Sequence, residues 1–161
     1  MNKATAGRII LGVDDSPSGL AALQWAVSQA RSREAQLVAV RSWALGLPRH
    51  GGRHHRHTVH PRVVLFFKGA EQRDASAKLV RDAFWAAAGG QPRDVAVTVR
   101  TPKGDPGAAL TSIATRHGDV IVVGRENLPG WRRVRHGSVS RYCRSHAGCP
   151  VVVVPIDQES L

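Results

Sequence analysis

Asp119-Val120-Ile121-Val122-Val123-Gly124 is the stretch that decides the fold. Its unbroken aliphatic run, bounded by an aspartate and a glycine, is that of a strand buried on both faces, since a strand with one wet face would alternate. Two further runs share the pattern. Arg8-Ile9-Ile10-Leu11-Gly12-Val13 lies near the beginning, and Val151 to Val154 lies near the end between Pro150 and Pro155. Strands of this kind need helices on both sides of their sheet.

The intervening sequence supplies them. After the first strand, Asp14-Asp15-Ser16-Pro17 places a capping serine before a proline suited to the first helical position. Leu20, Leu23, Val27 and Ala30 follow at helical spacing, and Leu37 to Ser42 is the next strand. Val63 to Phe67 is apolar without a period and fits either a short strand or the entry to a helix. Ala77, Val80, Phe84 and Ala87 form a helical stripe that Gly89-Gly90 stops. Asp94 to Thr101 alternates as a strand. Asp105 caps a helix beginning at Pro106, with Leu110, Ile113 and Ala114 buried and Gly118 ending it. Ser138 caps the last helix, one face of which carries Val139, Tyr142, Cys143 and His146. The order β-α-β-(loop)-α-β-α-β-α-β predicts a parallel sheet with helices on both faces.

The 161 residues can bury about 70% of the unfolded surface, so no disulfide or metal is needed to hold the fold. No run approaches the roughly 20 apolar residues of a membrane helix, and Met1 to Gly7 lacks a signal-peptide core. Two cysteines are too few for a secreted disulfide scaffold. These features read as one cytoplasmic domain over 1–161. The net charge of +11 comes from 19 arginines and four lysines spread along the chain. It fits an anionic partner or simply an arginine-rich solvated surface, and decides nothing alone.

Open parallel sheets bind ligands beyond the carboxyl ends of their strands, where strand order reverses. Two connections suit that place: Gly12 to Ser16, and Gly124 through Arg132, Arg133, Arg135 and His136 to Gly137-Ser138. Gly124 would let backbone approach a phosphate, and the N-terminus of the last helix favours an anion. Ser138 and Ser140 add hydroxyls. A nucleotide site and ordinary strand-to-helix turns both fit these residues.

The same residues carry a resemblance. Ile10-Leu11-Gly12-Val13-Asp14-Asp15-Ser16, Gly104-Asp105-Pro106, Asp119 to Gly124, and Gly137-Ser138-Val139-Ser140 through Pro155 resemble the universal stress protein family over nearly the whole chain. The family's nucleotide motif, Gly-x2-Gly-x9-Gly-(Ser/Thr), is met by Gly124, Gly137 and Ser138 at intact spacing, with Asn127 in place of the second glycine. The resemblance implies a flavodoxin-like, doubly wound sheet of five parallel strands in the order 3-2-1-4-5. It implies ATP or another adenine nucleotide as ligand, with Mg as its accompanying cation. The implied site comprises Gly12, Val13, Asp14, Ser42, Val123, Gly124, Arg125, Asn127, Gly130, Gly137, Ser138, Val139 and Ser140. Asp14 would contact the nucleoside and the glycine-serine loop the phosphates. Asn tolerates a left-handed backbone, but its side chain would crowd a phosphate. A homodimer through Val151–Val154 is also implied.

Other features point less far. Arg49 to Pro61, with His50, His54, His55, His57 and His60, reads as a flexible solvated loop, because the histidines lack acidic or thiol companions and lie among arginines. The tract could hold nucleic acid phosphates weakly and without sequence preference, as it has no aromatic residue for stacking. No Walker lysine or poised nucleophile is present. The expected function is a nucleotide-binding stress-response regulator. The alternatives are a dimer acting through protein contacts alone, and a slow ATPase or self-phosphorylating protein using Ser138 or Ser140.

Overall fold

The computed structural model describes residues 7–44, 61–125 and 139–156, the side chains of 61–67 excepted. The described elements run β1 (Arg8–Gly12), α1 (Pro17–Ser32), β2 (Gln36–Val40), α2 (Pro61–Ala88), β3 (Val97–Arg100), α3 (Pro106–Ile113), β4 (Val120–Gly124), α4 (Val139–His146) and β5 (Val151–Val154). The strands form one parallel sheet in the order β3-β2-β1-β4-β5. Chain direction across the sheet reverses between β1 and β4, so the switch point lies there.

The period of two in each strand divides the core. Ile9, Leu11, Leu37, Ala39 and Val122 face α1 and α2, where they meet Leu23, Ala26, Val27, Val80 and Phe84. Ile10, Val38, Val40, Ile121 and Val123 face the other way, against Leu110 and Cys143 of α3 and α4. Both faces of β1 and β4 are thus dry, which explains their unbroken aliphatic sequences.

The helix starts follow their caps. Ser16 Oγ accepts the Gly19 N–H at 3.0 Å, and Asp105 Oδ1 accepts the Ala108 N–H at 3.0 Å, each with proline in the first turn. Helix α1 ends without glycine: Glu34 takes φ 52° while the Ala35 N–H reaches Ala30 O and the Glu34 N–H reaches Arg31 O.

Several boundaries differ from those expected. The second strand stops at Val40, so Ser42 lies beyond it. Val63 to Phe67 and Pro61 belong to α2, and the expected loop therefore ends before Pro61. Helix α3 ends at Ile113, with Ala114 as its cap, and Gly118 instead makes a positive-φ turn into β4. Residues 49–60 lie outside the described residues.

Candidate functional site

A cavity of about 240 Å³ opens at the carboxyl ends of β1, β2 and β4, at the switch point. Gly12, Val13 and Asp14 form the β1 side, and Val40, Arg41 and Ser42 the β2 side. Val123 and Gly124 come from β4, Pro106 and Leu110 from α3, and Val139 from the first turn of α4. Most of its wall is aliphatic, with one acidic and one basic side chain among these lining residues.

Two glycines make this geometry possible. A Cβ on Gly124 would lie 2.6 Å from Ser18 C and O, so only glycine lets the end of β4 pass beneath the start of α1. A Cβ on Gly19 would collide with Asp14 Oδ1. That oxygen accepts the Ser16 N–H at 2.8 Å and the Ser16 hydroxyl, so the Asp14 carboxylate is held against the α1 N-terminus, where negative charge is favoured. Oδ2 has no partner among the described residues.

Arg41, with its side chain about three-quarters buried, spans the β1 and β2 ends. Its Nη1 donates to Val13 O at 3.2 Å and stands 3.8 Å from Asp15 Oδ1. Neither Arg41 nor the wall residues Val40, Pro106 and Leu110 were expected from sequence. The rule that ligands sit beyond strand ends was the available signal, since Arg41 follows β2 directly.

Of the expected residues, Gly12, Val13, Asp14, Ser42, Val123, Gly124 and Val139 line this cavity. Arg125 is exposed beside it, with its backbone N–H on Val154 O at 2.8 Å. Ser140 lies in the first turn of α4 and is not among the lining residues. Asn127, Gly130, Gly137 and Ser138 lie outside the described residues.

Burial works against thiolate formation at both cysteines. Burial pushes Cys143 up to about 11, with smaller contributions from Cys149 and Asp105, and burial also raises Cys149. Among the described residues no cluster of three or more His, Cys, Asp or Glu could hold a metal ion, and no helix is long and apolar enough to cross a membrane. The histidine tract lies outside the described residues.

Known proteins share this fold. UspA of Lactobacillus plantarum, a universal stress protein, is 25% identical with a TM-score of 0.62, over 94% of this chain and 99% of that one. A universal stress protein solved in complex with cAMP is 21% identical with a TM-score of 0.64, over 96% and 100%. One from Archaeoglobus fulgidus, in complex with dAMP, is 20% identical with a TM-score of 0.51, over 93% and 98%. A universal stress protein of Mycobacterium tuberculosis strain H37Rv is 28% identical over 95% of this chain and 48% of its own length. The chain thus spans about half the length of the curated relatives it matches. The family model described as "Universal stress protein family" matches residues 5–155, which include every described strand and helix. The chain belongs to the universal stress protein family.

Proposed function

We propose that the chain binds an adenine nucleotide in the cavity at the switch point and acts as a regulatory module of a stress response. The convergence of Gly12, Val13, Asp14, Ser42, Val123, Gly124 and Val139 on one cavity carries this reading. Val13, Val40, Leu110 and Val123 offer an apolar slot for a base. Asp14 Oδ2 is an acceptor for ribose hydroxyls, and the N-terminal end of α4 attracts phosphate through its dipole. The relatives in complex with cAMP and dAMP support the adenine class. ATP with Mg is the form the family resemblance favours. In this reading residues 1–161 act as one domain in the cytoplasm, with ATP hydrolysis slow if it occurs.

The test is to identify what nucleotide co-purifies with the native protein, by mass spectrometry after denaturation, and to titrate AMP, cAMP and ATP calorimetrically near physiological salt. Saturable binding is expected. No heat and no thermal shift at millimolar concentrations of all three would overturn the reading.

A second reading has its own observation. β5 is an edge strand whose sequence has no charge to deter pairing. Two copies joined there would form a closed two-fold dimer, acting through protein contacts whether or not nucleotide is bound.

A further inference from the structure

β1 and β2 part company one residue beyond their ladder. Their register runs from Arg8↔Gln36 to Gly12↔Val40, and the Val13 N–H still reaches Val40 O at 2.9 Å. A parallel ladder with that bond would next place the Ser42 N–H on Val13 O. It does not do so here. The pairing of this segment with β3 continues past the point where it parts from β1: the Arg41 N–H goes to Arg100 O at 3.0 Å and the Trp43 N–H to Pro102 O at 3.0 Å. Trp43 Nε1 adds a bond to Thr101 O at 2.8 Å, and the Gly104 N–H returns to Trp43 O at 2.8 Å. Val13 O is satisfied by the Arg41 guanidinium. Among the described residues the Ser42 N–H has no acceptor, although Ser42 lines the cavity.

We infer that Arg41 is a positioning residue. Its guanidinium stands at Val13 O, where the Ser42 N–H would otherwise come to donate, and so holds the two strand ends apart and leaves a backbone donor in the cavity wall. Ser42 is half-buried in the cavity wall, so its N–H is open to an acceptor that enters the cavity. The wedge therefore keeps this donor out of the ladder and available to an acceptor on the bound molecule. Arginine suits the task because its planar fork can serve Val13 O with one N–H while remaining close to Asp15. The ligand half of this inference rests on the nucleotide reading; the wedge itself does not.

Amide hydrogen exchange resolved at Ser42 tests it, with the bonded amides of Arg41 and Trp43 as internal references. In the wild type Ser42 should exchange at least tenfold faster than either reference, and saturating AMP should slow it. Arg41→Met, which keeps the length but cannot donate, should slow Ser42 exchange at least tenfold without ligand and raise the AMP Kd by tenfold or more. Arg41→Lys, which restores a donor, should recover fast exchange and most of the affinity. A Ser42 amide as protected as its neighbours in the wild type would overturn the inference, as would equal exchange in wild type and Arg41→Met. If the wild type binds no nucleotide, the functional reading fails while the ligand-free exchange comparison still decides whether Arg41 is a wedge.

Discussion

Arg8 and Asp119, 111 residues apart in sequence, form a two-pronged ion pair that ties the amino-terminal ends of β1 and β4 together. Arg8 Nε donates to Oδ1 at 3.0 Å and Nη2 to Oδ2 at 2.6 Å, while Nη2 also reaches Ile113 O at 2.9 Å. The Arg116 N–H donates to the same carboxylate at 2.9 Å. The Asp119 side chain is 0% exposed. The pair sits at the end of the sheet opposite the cavity, so it stabilises the pair of strands between which the switch point opens without touching ligand.

Arg8→Met should therefore lower stability by about 3 kcal/mol, since it strands a buried carboxylate. Burial pushes the Asp119 carboxyl up, but the hydrogen bonds from Arg8 and Arg116 outweigh it and hold the group below the usual carboxylate range. A depressed carboxyl contributes fully above its unfolded value, about pH 4, and loses that contribution as pH falls through the folded value. Thermal melts should show the gap between wild type and Arg8→Met narrowing below pH 4. A gap constant with pH would refute the assignment. Arg31→Ala, which removes the solvent-exposed pair with Asp94, should leave the melting temperature unchanged.

Gly124→Ala tests the close passage of β4 beneath α1. The added methyl would meet backbone atoms of Ser18 at 2.6 Å, and backbone cannot turn aside as a side chain can. A loss of about 1–3 kcal/mol is expected, together with loss of AMP binding. Gly12→Ala should be milder, because its methyl would meet the tips of Leu110 and Val123 at 3.1 Å. Equal melting temperatures for the two variants would show that the strand end has room to shift.

Asp14→Asn keeps Oδ1 for the bonds from Ser16 and replaces Oδ2, which has no partner among the described residues, with a donor. The fold should be unchanged. AMP affinity should fall about tenfold, equivalent to about 1.4 kcal/mol, and any preference for AMP over dAMP should shrink with it. If AMP affinity is retained, Asp14 is a brace for α1 and not a ligand contact.

What the sequence disclosed tracks how local each cause is. Ser16-Pro17 and Asp105-Pro106 are caps whose geometry is contained in a few residues, so both helix starts were legible. The continuous aliphatic runs at β1 and β4 report burial on two faces, and alternation of strands with helices leaves little freedom of topology. Val63 to Phe67 was ambiguous because a uniformly apolar run has no period to distinguish helix from strand. The β1 and β4 contributions to the cavity were legible from glycines and Asp14. Arg41 was not, since its place at Val13 O follows from the pairing of β2 with β1, a relation between residues 28 apart.

The last prediction concerns assembly, and the ladder itself selects the substitution. Val152 and Val154 pack toward α1, and Val151 and Val153 pack toward α3 and α4. An aspartate at any of these four half-buried positions would confound dimer loss with damage to the fold. The backbone offers a cleaner probe. The Ile121 N–H donates to Pro150 O and the Arg125 N–H to Val154 O, so β4 uses the carbonyls of even-numbered residues in β5. In a parallel ladder the N–H groups of Val152 and Val154 then return to β4, while those of Val151 and Val153 point out from the sheet edge. Val153→Pro deletes an outward donor and keeps an apolar ring of similar size at the half-buried position, and proline is tolerated on an edge strand in that orientation. If two copies pair through β5, this variant should sediment as a monomer at tens of micromolar while its melting profile, extrapolated to the monomer, stays close to wild type. A wild type that sediments as a clean monomer at that concentration would refute the dimer, and a Val153→Pro protein still dimeric would move the interface away from the β5 edge.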